Sequence, residues 1–295
     1  MKPPISNQDI TLLRELDSAS PELRKDACQT LLTKGSQLDS LISAEFPGQV
    51  AFDPLRSSGP PPPLKDCSGL LNYIVLRGPS ATGLVLPHLS SDDPTARFFA
   101  VAFFHTFPQP EHLPLLSRRL YDQEPPIRSL AIKAIQSYRP GEHYTTLLKN
   151  LLIQLRVPLF KVKLGVIEVL GQLKEPTTVP ALIALVDSQS PEVRTAAASS
   201  LTAICAQNFG EDRHKWSQWW KLNNAQPRES WLVTSLRHPN RALGKLSFSE
   251  LERLTPTPLP LNRPTTRFNK STVKELEQWW NTERPPESTT TSTTS

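Results

Sequence analysis

The chain is 295 residues long and mildly basic, with 33 Lys and Arg against 28 Asp and Glu. Its three cysteines, Cys28, Cys67 and Cys205, stand too far apart for a disulfide framework or metal-ligand spacing, which points to a reducing compartment. The sequence shows neither an apolar leader nor a run of the ~18 apolar residues that a bilayer span needs, so a cytoplasmic protein outside the membrane is expected.

Residues 1–45 are expected to hold two or three helices. Among them Asp17-Ser18-Ala19-Ser20-Pro21-Glu22-Leu23-Arg24 returns almost unchanged as Asp187-Ser188-Gln189-Ser190-Pro191-Glu192-Val193-Arg194. Residues 46–64 break the pattern with Phe46-Pro47-Gly48 and a four-proline run, Pro60 to Pro63, predicting a stiff extended linker. A helix is expected over 65–78, and a regular array follows up to about 210.

In that array Pro94, Pro125, Pro158 and Pro191 are spaced by 31, 33 and 33 residues, and each is followed three later by a base: Arg97, Arg128, Lys161 and Arg194. A fixed period of this size is the mark of stacked repeats. Ser20, Asp93 and Ser190 are good N-caps, and the proline after each sits where its missing N–H costs nothing. A small residue follows three after the base (Ala27, Ala100, Ala131, Ala197) and a larger apolar one four later (Leu31, Phe104, Ile135, Leu201). Together these make one amphipathic helix per repeat. The segments from Leu113 and Val179 supply its preceding partner, so the unit is an antiparallel helix pair. The third copy departs: Val157 takes the cap position, Lys161 the arginine's and Leu164 the alanine's, which predicts looser or differently angled packing there.

Residues 211–281 carry a different element. Trp216, Trp219 and Trp220 share one face of a short helix, and Leu276, Trp279 and Trp280 repeat that spacing. Both clusters are expected to cap the apolar end of a stack, which solenoids require. Residues 282–295 are Ser/Thr-rich and are expected to be disordered.

The pattern Asp-x-x-x-Pro-x-x-Arg-x-x-Ala-x-x-x-Leu, best seen at 187–201, resembles HEAT repeats over roughly 80–204, with outlying copies at 17–34 and 228–255. The Phe-Pro-Gly turn, the Arg-Phe-Phe-Ala helix at 97–100 and Phe-Gly-x-x-x-x-x-Trp-x-x-Trp-Trp at 209–220 resemble a group of bacterial HEAT-like proteins of the bilin-lyase repeat type. That resemblance implies an all-α, right-handed HEAT-like α-solenoid of antiparallel helix pairs, with the second helix of each pair on the concave face. It carries no established activity.

The functional expectation is a non-catalytic scaffold or adaptor binding a protein along the concave face. Arg97, Arg128, Lys161 and Arg194 should form a row, with Arg118 and Arg119 beside them; the alternative use of that row is pairing with turn aspartates, Asp92, Asp93, Asp122 and Asp187. Residues 94–163 hold ten Lys or Arg against four Asp or Glu, so nucleic-acid or other polyanion binding is the first rival. A bilin lyase or DNA glycosylase is the second, although no residues match those active sites. The six histidines are scattered, no nucleophile elbow or phosphate loop occurs, and no cofactor, metal or catalytic residue is expected.

Overall fold

A computed structural model describes residues 6–57, 59, 61–254 and 270–283. The described residues form helices and turns with no strand, the all-α solenoid class. The chain divides into two compact units, one up to Asn150 and one from Leu151. The Ser/Thr-rich end from 284 onward and the side chain of Trp280 lie outside the described residues.

The first unit contains α1 (Asn7–Glu15), α2 (Pro21–Lys34), α3 (Asp39–Ala44), α4 (Gly69–Arg77), α5 (Thr82–Val85), α6 (Pro94–Thr106), α7 (Leu113–Ser117) and α8 (Pro125–Gln136). The Ser20 hydroxyl accepts from the Leu23 amide, and the Asp93 carboxylate accepts from Thr95 and Ala96, so α2 and α6 start as their sequences dictate. Ala100 and Ala131 are fully buried where α6 packs on α8. Small side chains there let the two helices approach closely. Phe98, Phe99, Phe103 and Phe104 fill the space around α6, in edge-to-face pairs with ring centroids 5.3 Å apart. Each such ring contributes roughly 1.5–3 kcal/mol by burial.

The proline-rich stretch 46–64 is anchored on this unit. Phe46 stacks on His88, Phe52 meets Phe99 edge-on, and Leu64 is buried. Gly69 opens α4 directly against α1's C-terminal turn. A Cβ there would fall 1.9 Å from the Leu16 carbonyl oxygen, so no other residue fits without displacing backbone. The Gly69 amide is then free to donate to the Asp17 carboxylate at 2.7 Å.

Helix α9 (Glu142–Gln154) contains the division between the units. The second unit continues with α10 (Phe160–Leu173), α11 (Val179–Leu185), α12 (Pro191–Cys205), α13 (Arg213–Asn223), α14 (Arg228–Ser235), α15 (Arg241–Leu254) and α16 (Lys270–Glu283). Helices α10 and α12 pack tightly, because Gly171 lies where a Cβ would meet the Ser200 Oγ at 2.5 Å. That hydroxyl donates instead to the Ile167 carbonyl at 2.9 Å. A further core joins Leu232, Val233 and Leu236 of α14, Phe248 and Leu251 of α15, and Val273 and Leu276 of α16.

Candidate functional site

The repeat arginine has one job in four copies. Arg24, Arg97, Arg128 and Arg194 each turn Nη1 back onto the carbonyls five and six residues earlier. The bonds are 2.9 and 3.0 Å for Arg97, and 2.7 and 3.0 Å for Arg128. Those carbonyls belong to the turn between the paired helices, where backbone acceptors lack amide partners. A planar guanidinium can serve two acceptors and still present Nε and Nη2 elsewhere.

Arg97 spends those remaining donors on Asp122, with a bidentate pair of 2.9 and 3.0 Å. Asp122 also accepts from Arg119 at 2.9 Å and from the Glu124 amide at 3.1 Å, and its carboxylate is 1% exposed. Burial pushes its pKa up, but the hydrogen bonds from Arg97 and the Glu124 amide, with the Arg97 and Arg119 charges, more than reverse this and hold it below the ordinary value. Arg194 gives its Nε to Glu211 at 2.8 Å. Asp187 pairs instead with Arg213 at 2.7 Å, and Asp93 caps α6.

The six bases picked out in the sequence therefore separate. Arg97 and Arg119 converge on Asp122, Arg128 closes its own turn, and Arg194 joins its turn to Glu211. Arg118 and Lys161 are exposed and form no ion pair with a described residue. Helix α10 starts two residues after Pro158, so the arginine's place expected at Lys161 falls instead to Lys163. The Lys163 amide bonds the Leu159 carbonyl as those of Arg97, Arg128 and Arg194 bond Asp93, Glu124 and Ser190. A lysine there cannot reproduce the two-carbonyl clasp.

The tryptophans also divide. Trp216 is fully buried, donates Nε1 to the Gly210 carbonyl at 2.9 Å and meets Phe209 edge-on. Trp219 and Trp220 are half-buried and flank Trp231, with ring centroids 5.2 and 5.8 Å away. Trp231, itself buried, donates to the Asn223 carbonyl at 3.1 Å. Helix α13 packs on α11, and α14 to α16 follow it with their own core, against which Trp279 packs. Trp216→Phe is expected to cost about 1–2 kcal/mol, since it orphans the Gly210 carbonyl and leaves part of the indole volume empty. Urea unfolding measures this, and an unchanged midpoint would mean the Trp216 contacts contribute nothing net.

Sequence distance concealed a second buried carboxylate. Glu250 of α15 accepts from Lys174, which lies 76 residues away, and from Arg228 at 3.3 Å and Arg253 at 3.4 Å. Arg228 also donates to the Ile204 carbonyl at 2.8 Å and the Ala203 carbonyl at 3.4 Å, tying α14 to the end of α12. Lys174 has a left-handed backbone, φ 55°, as the C-cap of α10.

The surface is uneven. Ten large hydrophobic residues are exposed among the described residues, and four of them, Ile153, Leu159, Phe160 and Val162, fall within ten positions of the α9–α10 turn. Arg156 and Lys161 are exposed beside them. The sequence reading missed this patch. Its one visible signal was the absence of any Asp or Glu between Glu142 and Glu168. Two of the histidines serve local contacts: His88 bonds Ser43 and stacks on Phe46, and His112 meets Phe104 edge-on. No described helix is long and apolar enough to cross a membrane, and no group of three metal-ligating side chains occurs among the described residues.

Comparison with known proteins agrees with the helix-pair geometry. Residues 148–212 match the family described as HEAT repeats. No curated protein matches the chain. Similar solved structures include an engineered protein at 15% identity, covering 84% of this chain and 96% of its own, with a TM-score of 0.30. Another is a computationally designed armadillo repeat protein for modular peptide recognition, at 17% identity, 83% and 99% coverage and a TM-score of 0.28. A third is a designed armadillo repeat protein in complex with a (KR)4 peptide, at 16% identity, 83% and 98% coverage and a TM-score of 0.29. The family match over 148–212 and the recurring cap, turn-clasping arginine and buried alanine of its helices make this chain a HEAT-like repeat protein.

Proposed function

We propose that this protein is a non-catalytic scaffold that binds a partner protein on its exposed helix faces, in a reducing, cytoplasm-like compartment. The carrying observation is the gathering of exposed Ile153, Leu159, Phe160 and Val162 at one turn. Large apolar side chains exposed close together along the chain point to an interaction site, where singly scattered ones do not. The compartment rests on three thiols, Cys28, Cys67 and Cys205, all buried and unpaired. Arg97, Arg119 and Arg194 are engaged within the fold, which moves the expected contacts away from the repeat row and toward bases such as Arg118 and Lys161.

Affinity capture from the source organism's lysate, crosslinked, nuclease-treated and washed at moderate salt, tests this reading. One dominant protein is expected to survive nuclease. Recovery of nucleic acid in its place, with steep loss of binding between 50 and 200 mM salt, would establish the polyanion reading instead.

A further inference from the structure

We infer that the α9–α10 turn, residues 153–163, is the docking site for an acidic, apolar-bearing segment of a partner protein. This rests on the scaffold reading above and names the surface and the partner's chemistry.

The first ground is a break in the repeat register. The third residue of the repeat helix is buried in α6 (Ala96), α8 (Ile127) and α12 (Val193), though Leu23 of α2 is exposed. Helix α10 starts two residues after its proline, at Phe160, so its third residue is Val162, which is 38% exposed, while Phe160 at the first position is 47% exposed. Leu159 before it is 59% exposed. A large share of each of these side chains is left outside the core.

The second ground is a helix start that ignores its own chemistry. Ser20, Asp93 and Ser190 cap their helices with side-chain bonds, whereas Leu159 at the N-cap of α10 offers none. Helix α8 also lacks such a bond, but Glu124 there still sets negative charge at the helix's positive end. In α10 the first turn carries Lys161 and Lys163, the sign that the helix dipole disfavours. A turn that serves neither burial nor capping is where a functional constraint is expected.

The third ground is charge. Arg156, Lys161 and Lys163 form no ion pair with a described residue, and no acid lies between Glu142 and Glu168. Exposed apolar side chains interspersed with unpaired bases fit a partner that supplies apolar side chains interspersed with carboxylates. The chain's own undescribed segments do not supply this. Residues 255–269 contain two Arg and no Asp or Glu, 284–295 contain one Arg and one Glu, and 1–5 contain one Lys.

A bilayer fits less well. Insertion buries an apolar face about 5–10 Å into the lipid boundary. Here Phe160 and Val162 are half-sunk, and lysines alternate with them at 161 and 163.

The test places a photo-crosslinking phenylalanine analogue at Leu159 of the full chain, irradiates it in the source lysate and sequences the attached peptide by mass spectrometry. The expected peptide carries several Asp or Glu among Leu, Ile or Phe. Made synthetically, it should bind the wild-type chain in fluorescence anisotropy. It should bind at least about tenfold more weakly to Leu159→Ser/Phe160→Ser and to Lys161→Glu/Lys163→Glu, at unchanged Tm. A crosslinked peptide without acidic residues would overturn the inference. If affinity capture still yields the partner with both double variants, docking lies elsewhere and only the scaffold reading survives. If no protein is captured, both readings fail. Cosedimentation with vesicles of 70% phosphatidylcholine and 30% phosphatidylserine, lost in the variants, would assign the patch to membranes instead.

Discussion

Asp122→Ala is expected to destabilise the first unit by about 3–5 kcal/mol, the effect of removing one partner from a buried ion pair. The carboxylate is 1% exposed and receives four hydrogen bonds, two from Arg97, one from Arg119 and one from the Glu124 amide. Deleting it leaves two guanidiniums facing each other with side chains only 12% and 19% exposed, too covered for water to replace the lost acceptor. Arg97 is also the clasp on the Ser91 and Asp92 carbonyls, so the loss reaches the turn before α6 as well. Urea unfolding at pH 7 measures the change, and a loss below 1 kcal/mol would show the pairing to be peripheral.

The same group sets an acid dependence with a definite sign. Its pKa is lower in the folded chain than the ordinary 3.8, so the folded state binds this proton less readily than the unfolded one. Its stabilisation is fully present above the unfolded pKa and is lost as pH falls through the folded pKa. The wild type should therefore lose stability on acidification below about pH 4, and Asp122→Ala should show a flatter slope over that range. Equal slopes would assign the acid sensitivity to other carboxylates. Asp9, held down to about 2 chiefly by its hydrogen bond from Lys34, would then be the first to examine.

Glu250→Ala is the second large effect, again about 3–5 kcal/mol, now in the second unit. Three cations share this one carboxylate, and Arg228 among them has a side chain only 7% exposed. Burial raises the Glu250 pKa, but the Lys174 hydrogen bond and the charges of Lys174, Arg228 and Arg253 bring it below the ordinary value. Without it, Arg228 keeps the Ile204 and Ala203 carbonyls but loses its counter-charge, and Lys174 is left half-covered beside it. Hydrogen exchange should show the greatest loss of protection in α14 and α15, and the Tm of this unit should fall by roughly 10 °C. Unchanged exchange in α14 and α15 would mean the network is no lock.

What could be read from the chain depended on range. Ser20, Asp93 and Ser190 were legible as caps because a cap needs only the next three residues. Ala100, Ala131 and Ala197 were legible as the close-packing positions because the repeat period places them on one helix face. The choice of Asp122 as the partner of Arg97 lay within one repeat, so the sequence offered it among a few candidates.

The sequence by itself thus determined the local units: helix starts, paired helices and the period that stacks them. Each follows from bonds spanning six residues or fewer, or from a face repeated every helical turn. The tertiary structure alone decided which carboxylate serves which base, and which apolar residue is covered. Glu250 meets Lys174 across 76 residues, and Trp219 and Trp220 find Trp231 on the next helix, because those partners exist only once the helices have packed. Helix α10 starts two residues after Pro158 where the other copies start at their prolines, and Phe160, at its first position, is left half exposed. Burial belongs to the neighbour that covers a side chain, and no property of Phe160 itself records that neighbour's absence.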